Sequence, residues 1–261
     1  MTHPEQTVLE RLETYYDAVP RTAADPQPCG PFTLFVSRED WPYYARPSRG
    51  LTRGVTVEDV RTLSARQREL GLPESIEWVG VTTPTLEAAA LGAGLTVHHF
   101  PLMTLGRDAP VPAQVVGSVR LLRADDHDLS GAVAAVHRGF GAEELPSADE
   151  IDAVRRRVRD GLQVTVGAFD ASGTAVGGGF HQPVGDVTEL VGIAVVPEAR
   201  RQGYGAAITA ALVADAVARS VDLVFLSASD ESVARTYARV GFNQIATVSA
   251  AEPAAAPSPP P

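Results

Sequence analysis

The sequence predicts an α/β fold of the α+β kind, built on a mixed sheet. Three observations carry that expectation. Short β-branched runs alternate with longer runs of helix formers along most of the chain. One run passes from a strand through a glycine-rich turn directly into a helix. Finally, the stretch Val79 to Gly94 has an equally spaced echo in Leu226 to Gly241, each reading strand, polar turn, helix, glycine, strand. An echo of that kind points to a duplicated unit.

Taken in order, Val8, Leu9, Leu12, Tyr15 and Tyr16 have helical spacing, and a proline-rich turn then leads to a strand at Phe32–Val36. Trp41 to Pro47 is aromatic and broken by proline; a packed corner is favoured there over a substrate-facing loop. Thr56 with Asp59 three residues on forms a capping pair for a helix whose face is Val60, Leu63, Gln67 and Leu70 and whose stop is Gly71. Ile76–Val81 reads as a strand, Thr85–Leu91 as a helix, and the segment after Gly94 as another strand. His98 and His99, adjacent on that strand, face opposite sides and make a poor metal site. Ala109-Pro-Val-Pro112-Ala113 reads as a linker.

Beyond it, Ser118–Leu122 reads as a strand, Leu129–Gly139 and Ile151–Gly161 as helices, and Gln163–Phe169 and Ala175–His181 as a hairpin. Arg155, Arg156, Arg157 and Arg159 are expected on a solvated face. Gly177, Gly178 and Gly179 lie mid-hairpin, which favours close backbone packing over a phosphate loop, and His181 is expected to be structural. The chain then reads as a strand at Glu189–Val196, a helix to Arg219, a strand at Asp222–Leu226, a helix through Tyr237 and a strand at Gln244–Val248. From Glu252 onward the Ala/Pro/Ser composition predicts disorder. The domains expected are therefore 1–113, 114–250 and a tail at 251–261.

The stretch from Glu189 to Ala206 organises the rest. Its apolar strand ends at Pro197, and Arg200-Arg201-Gln202-Gly203-Tyr204-Gly205-Ala206 follows, opening a helix. The first N–H groups of a helix have no internal acceptor, and the helix dipole adds about half a positive charge there. Glycines remove the Cβ atoms that would hold an anion away, so a pyrophosphate is the natural ligand. A dinucleotide fingerprint is missing, and all 22 basic residues are arginine, which excludes a P-loop with its lysine.

Arg200-x-x-Gly203-x-Gly205 resembles the acetyl-CoA signature of the GNAT superfamily of N-acetyltransferases. The element order from about 117 to 250, β-α-α-β-β-β-α-β-α-β, is similar to that of a GNAT domain. Asp230 to Tyr237 and Gly241-Phe242 look like the second signature of that family, with Asp230 where asparagine is usual and Val233 where alanine is usual. The resemblance implies a C-terminal GNAT fold, with a smaller N-terminal α/β domain that its repeat marks as a degenerate GNAT-like half. It implies acetyl-CoA as co-substrate, with Ile193, Ala194 and Val195 hydrogen-bonding the pantetheine arm. Arg200, Arg201, Gln202, Gly203, Tyr204, Gly205 and Ala206 would hold the pyrophosphate, and Asp230 would make a further CoA contact. Glu189 matches the general base of some members, the alternative being a salt bridge to arginine. Tyr237 matches the acid that protonates the departing thiolate, the alternative being packing beside the CoA.

Composition narrows the partners. A net charge of −10 disfavours nucleic acid and suits a cationic amine, small molecule or peptide. No apolar run approaches the ~18 residues of a membrane span, and Met1 to Gln6 lacks the pattern of a signal peptide. A single cysteine, Cys29, allows no internal disulfide and fits a cytoplasmic location. The Ala/Arg bias associates with bacteria. No metal is expected, and a homodimer is left open. The activity expected is acetyl transfer to a primary amine; the alternative is a non-catalytic acyl-CoA-binding or regulatory protein.

Overall fold

The structure is a computed structural model that describes residues 3–38, 42–106 and 118–254. The expected linker at 109–113 and most of the expected tail lie outside those residues. The chain forms two compact units, Met1–Leu102 together with Ile245–Pro261, and Met103–Gln244.

The first unit begins with helix α1 (His3–Arg21) and strands β1 (Ala24–Cys29), β2 (Phe32–Ser37) and β3 (Arg46–Pro47), which form a three-stranded antiparallel sheet. Strand β1 replaces the expected proline-rich turn. Pro26 and Pro28 are two residues apart, so both nitrogens point to one side, and β1 sits at a sheet edge where that side needs no ladder. Helix α2 (Val57–Glu69) carries the expected capping box of Thr56 and Asp59, and Val60, Leu63 and Gln67 are buried. Strand β4 (Ile76–Val79), helix α3 (Leu86–Gly92) and strand β5 (Leu95–Leu105) complete the element order. The core gathers Phe32, Leu34, Leu63, Ile76, Trp78 and Leu86. In the expected corner, Arg46 is buried, pairs with Glu77 and stacks 3.7 Å over the Tyr16 ring.

The second unit runs β6 (Ser118–Leu122), α4 (Leu129–Gly139), α5 (Ala148–Arg159), β7 (Val164–Phe169), β8 (Ala175–Val184), β9 (Val187–Val195), α6 (Tyr204–Ala218), β10 (Leu223–Ser227), α7 (Glu231–Ala238) and the first residues of β11 (Phe242–Pro253), which passes into the first unit at Ile245. The order matches the expected one element for element. Several boundaries differ, among them the end of β8, at Val184 rather than His181. Helix α5 starts before Ile151 because Ser147 and Glu150 form a capping box. Strand β11 passes the expected strand end at Val248 and takes Glu252 and Pro253 of the expected tail with it; its later residues pair antiparallel with β4, Val248 opposite Val79.

In the second unit β6, β7, β8 and β9 are antiparallel neighbours, and β10 joins β9 in parallel, which makes the sheet mixed. The three hairpin glycines show how its faces are covered. A Cβ on Gly178 would meet Val136 of α4 at 3.2 Å and the Val166 carbonyl at 2.7 Å. One on Gly179 would meet Ile208 of α6 at 3.3 Å. Side chains alternate along a strand, so α4 covers one face and α6 the other. The core is built on Val166, Leu190, Ile208, Leu212, Val224 and Phe242.

His181 is fully buried on the α6 face. Its Nε2 lies 3.0 Å from the Asp215 carboxylate and its Nδ1 2.9 Å from the Thr188 hydroxyl, while Arg219 donates to the same Asp215 oxygen at 2.5 Å. Burial lowers the imidazole pKa, outweighing the opposing pull of Asp215. The ring is therefore neutral, donating from Nε2 and accepting the Thr188 O–H at Nδ1. A histidine whose folded pKa is depressed stabilises the fold above its unfolded pKa of about 6.5, and that contribution falls as pH drops below it. The melting temperature should accordingly fall between pH 7.5 and 5.5, and His181→Gln should flatten the slope; an equal slope in both proteins would remove the assignment. Gly178→Ala forces a methyl onto a backbone carbonyl and should cost about 1–3 kcal/mol in urea denaturation.

Candidate functional site

The site is built where two parallel strands part. The β9–β10 ladder pairs Leu223 with Val187, Val224 with Thr188 and Phe225 with Glu189, and ends there. Strand β9 continues against β8 as far as Val195 opposite Gly177. Between these points it carries a bulge: Gly178 pairs with Ala194 and Phe180 with Val191, so Gly192 and Ile193 together oppose Gly179. Gly192 has φ +64°, and a Cβ there would meet the Phe180 ring at 2.8 Å, so glycine is required twice over. Ile193, Ala194 and Val195 lie past the last β9–β10 pair, as the expected pantetheine segment would.

After β9 the chain makes one 3₁₀ turn at Pro197–Ala199. The next residues divide their work unevenly. Arg200 turns back: its Nε donates to the Val195 carbonyl at 3.1 Å and its Nη2 to the Gly139 carbonyl at 2.8 Å. Gln202 also turns back, to the Glu198 carbonyl at 3.2 Å. Arg201 stands between them with φ 61°, a left-handed conformation unusual for arginine, and is exposed. The sequence suggests equal phosphate contacts for both arginines, yet the Arg200 guanidinium already clamps the end of β9 to the end of α4.

Gly203 caps α6 with φ 90°, and no side chain bonds to that helix end. The Ala207 N–H is bonded to the Gly203 carbonyl at 3.0 Å, so the amides of Tyr204, Gly205 and Ala206 precede the helical ladder. Tyr204 is buried in the core, which anchors the turn and leaves its backbone as the part available to an anion. A Cβ on Gly205 would meet nothing within 4 Å. That open space beside three unbonded donors and the positive end of a dipole fits a pyrophosphate.

Helix α4 closes the other side. A Cβ on Gly139 would meet the Ala194 Cβ at 2.7 Å and the Val195 nitrogen at 3.1 Å, so the helix end rests directly on the free segment of β9. Glu189 opposes Gln182 on β8 and Phe225 on β10 and is half-buried. By the alternation of β8, Gln182 and therefore Glu189 share the Gly178 side, the face of α4.

Tyr237 lies on α7, which begins after the carboxyl end of β10 just as α6 begins after that of β9. Its ring meets Phe242 edge-on at 6.1 Å, and burial alone pushes its pKa up to about 12. Asp230 accepts the Ser232 and Val233 N–H groups at 2.7 and 2.9 Å, capping α7. Those bonds hold its carboxyl below the ordinary range, Val233 first among them, so a charge sits where a neutral amide is usual. Sequence pattern alone does not point to Gly139, Gly192 or the clamping role of Arg200. Only Gly192 left a signal, as an isolated glycine inside a β-branched run.

Among the described residues, Asp126, His127 and Asp128 could converge on a cation, with Arg120 already bonded to both carboxylates at 2.5 Å. No described helix is long and apolar enough to cross a membrane.

Residues 140–242 match the Acetyltransferase (GNAT) family model. No curated protein matches the chain. Among solved structures, a GCN5-related N-acetyltransferase from Kribbella flavida is similar over 95% of this chain and 96% of its own, at 20% identity and a TM-score of 0.73. An acetyltransferase of the GNAT family from Novosphingobium aromaticivorans is similar over 87% and 89%, at 18% identity and a TM-score of 0.53. A tandem GNAT protein from the clavulanic acid biosynthesis pathway is similar over 87% and 79%, at 15% identity and a TM-score of 0.53. These likenesses concern the fold; the family match itself falls on residues 140–242, the segment that holds the parted strands and the glycine turn.

Proposed function

We propose that the protein is an acetyl-CoA-dependent N-acetyltransferase acting on a primary amine by direct transfer. The observation that carries this reading is the continuity of the free segment Ile193–Val195 with the uncapped start of α6. The side of β9 that β10 leaves can take the amide groups of a pantetheine arm, and the helix start beyond it can take the pyrophosphate. Arg201 is the guanidinium presented to the phosphates, and Arg200 holds the strand in place for them.

The acetyl thioester supplies the activated carbonyl. The residues supply the proton traffic. An alkylammonium with a pKa of about 10.4 is neutral only about 1 part in 2,500 at pH 7, so the nitrogen needs a base before it can attack. Glu189 takes that proton, directly or through a water. As the new C–N bond forms and the C–S bond breaks, the sulfur gains the electron pair and a proton from Tyr237, and the second proton of the amine leaves the nitrogen and restores the tyrosine. A tyrosine near pKa 12 is fully protonated at working pH. The burial that weakens it as an acid also raises the basicity of a thiolate formed beside it, which keeps the two matched.

We assign the first unit as a degenerate half of the same fold. Its order, α-β-β-β-α-β-α-β, is that of the second unit without the first strand and one helix. Ala45 even forms a parallel bridge to Ile76, where β9 meets β10 in the other unit. Its counterpart of the cradle is filled: at the start of α2, Asp59 accepts the Thr56 N–H at 2.9 Å and is held by Arg53 at 2.7 Å. A carboxylate there repels a phosphate, so one acetyl-CoA per chain is expected. The likeness in fold to a tandem GNAT protein, over most of both chains, supports such a pairing.

Two measurements test the reading. Thiol release from acetyl-CoA should depend on added amine, and Glu189→Gln should lower kcat/KM by about 10²-fold near pH 7, the deficit closing tenfold per pH unit as the amine loses its own proton. Tyr237→Phe should lower kcat by about 10- to 100-fold at every pH up to 10. Binding without amine-dependent release would leave an acyl-CoA-binding protein instead. Arg201→Ala should weaken acetyl-CoA binding in calorimetry about tenfold, more at low salt, with little change in melting temperature. Arg200→Ala should instead cost about 1–2 kcal/mol of stability by stranding two carbonyls; the reverse pattern would exchange the two roles.

A further inference from the structure

We infer that the Phe180 ring sets the length of the acyl group, so that the donor is acetyl-CoA or propionyl-CoA and longer acyl-CoAs are excluded. The inference rests on the proposed N-acetyltransferase reading and adds the residue that chooses the acyl donor. It begins with direction. With the pyrophosphate at the start of α6, a pantetheine arm would run back along Val195, Ala194 and Ile193. Its thioester end then belongs at the bulge of Gly192 and Ile193, ahead of Glu189. Exposure marks the same place. Strand β8 is buried from Val176 to Gly179 and again at His181, and β9 is buried at Leu190 and Ala194. Phe180, Val191, Gly192 and Ile193 are partly exposed among them, so the sheet opens to solvent at the bulge.

The wall of that opening is aromatic. Phe180 pairs with Val191, and Gln182 with Glu189 two residues along, so Phe180, Val191 and Glu189 share the α4 face. The ring is pressed onto the bulge: a Cβ on Gly192 would meet two of its carbons at 2.8 and 3.3 Å. A single added carbon on the backbone there already collides with the ring. The bulge is backed on its other face as well. A Cβ on Gly179 would meet Ile193 Cγ1 at 2.9 Å and Ile208 of α6 at 3.3 Å, so β9 has no room to retreat toward α6. Beyond Glu189, Phe225 of β10 is fully buried and fills the neighbouring position of the same face. An acetyl group carries one carbon past its carbonyl. Each further methylene competes with the Phe180 ring for the space beside the bulge, and a close-packed wall resists such an insertion.

The test is calorimetric binding of CoA and of acetyl-, propionyl-, butyryl- and hexanoyl-CoA to the whole protein without amine, a readout independent of turnover. The wild type should bind acetyl- and propionyl-CoA with similar affinity and lose about 10- to 100-fold by hexanoyl-CoA. Phe180→Ala should remove that loss and convert it to a gain of up to about fourfold for each methylene that enters the vacated space. Phe180→Leu should fall between the two. Affinity for CoA itself should be unchanged in both variants, and its rise in melting temperature on adding CoA reports an intact cradle. If Phe180→Ala does not fold, Phe180→Leu carries the comparison. Turnover with butylamine should follow the same order of donors. Equal wild-type affinity for acetyl- and hexanoyl-CoA, or a selectivity that the variants retain, overturns the inference while leaving the transferase reading intact. A changed preference among amines with an unchanged preference among donors also overturns it. Selective binding without amine-dependent thiol release would support the inference and overturn the transferase reading alone.

Discussion

The second unit of this chain depends on one broken ladder. Parallel pairing between β9 and β10 stops at Glu189 and Phe225, and everything that follows uses the backbone groups that the break releases. A buried strand does not give up hydrogen bonds without cause. The cause here is local: Gly192 and Ile193 crowd opposite Gly179, and the bulge swings β9 out of register with its parallel neighbour. The break is then held open by packing. Gly139 brings α4 onto the freed segment, Arg200 fastens the two, and the triple glycine of β8 lets α4, α6 and the neighbouring strands approach closely enough to support both faces.

The same economy appears in the turn that follows. Three consecutive side chains, Arg200, Arg201 and Gln202, could all reach outward, yet two are folded back on carbonyl groups and one is held in a left-handed conformation. The rigid pair fixes the geometry, and the strained member is presented. The start of α6 has no side-chain cap, as is also true of α3 and α4, whereas α2, α5 and α7 have one. An uncapped helix forgoes about 1 kcal/mol of stabilisation.

Much of this was legible in the sequence. The alternation of strand and helix patterns gave the element order of the second unit, because periodicity survives in any context. The strand, glycine turn and helix of Glu189 to Ala206 were legible for the same reason, as β9 and the start of α6 show. What the sequence concealed was competition for partners. Nothing in Arg200-Arg201 says which guanidinium is consumed by carbonyls, since Gly139 is remote in sequence. Pro26 and Pro28 read as a turn because proline is judged by its missing donor, and only the position of β1 at a sheet edge makes that loss harmless. Ser147 and Glu150 had the form of a capping box, but the weakly apolar first turn of α5 hid the start of the helix behind Ile151.

Strands β5 and β11 carry a consequence for how the chain is made. Each crosses from one unit to the other, so that β4 in the first unit pairs with residues 248–251 near the far end of the chain. Synthesis proceeds from the N-terminus, and most N-terminal domains can fold while the remainder is being translated. Here Ile76 to Val79 wait for their partner, and the first core waits for Ala251, until residues 248–251 have left the ribosome. The N-terminal half must therefore pass through a long interval with an open strand edge. Truncation near residue 244 would remove a structural strand from the half of the protein that was made first.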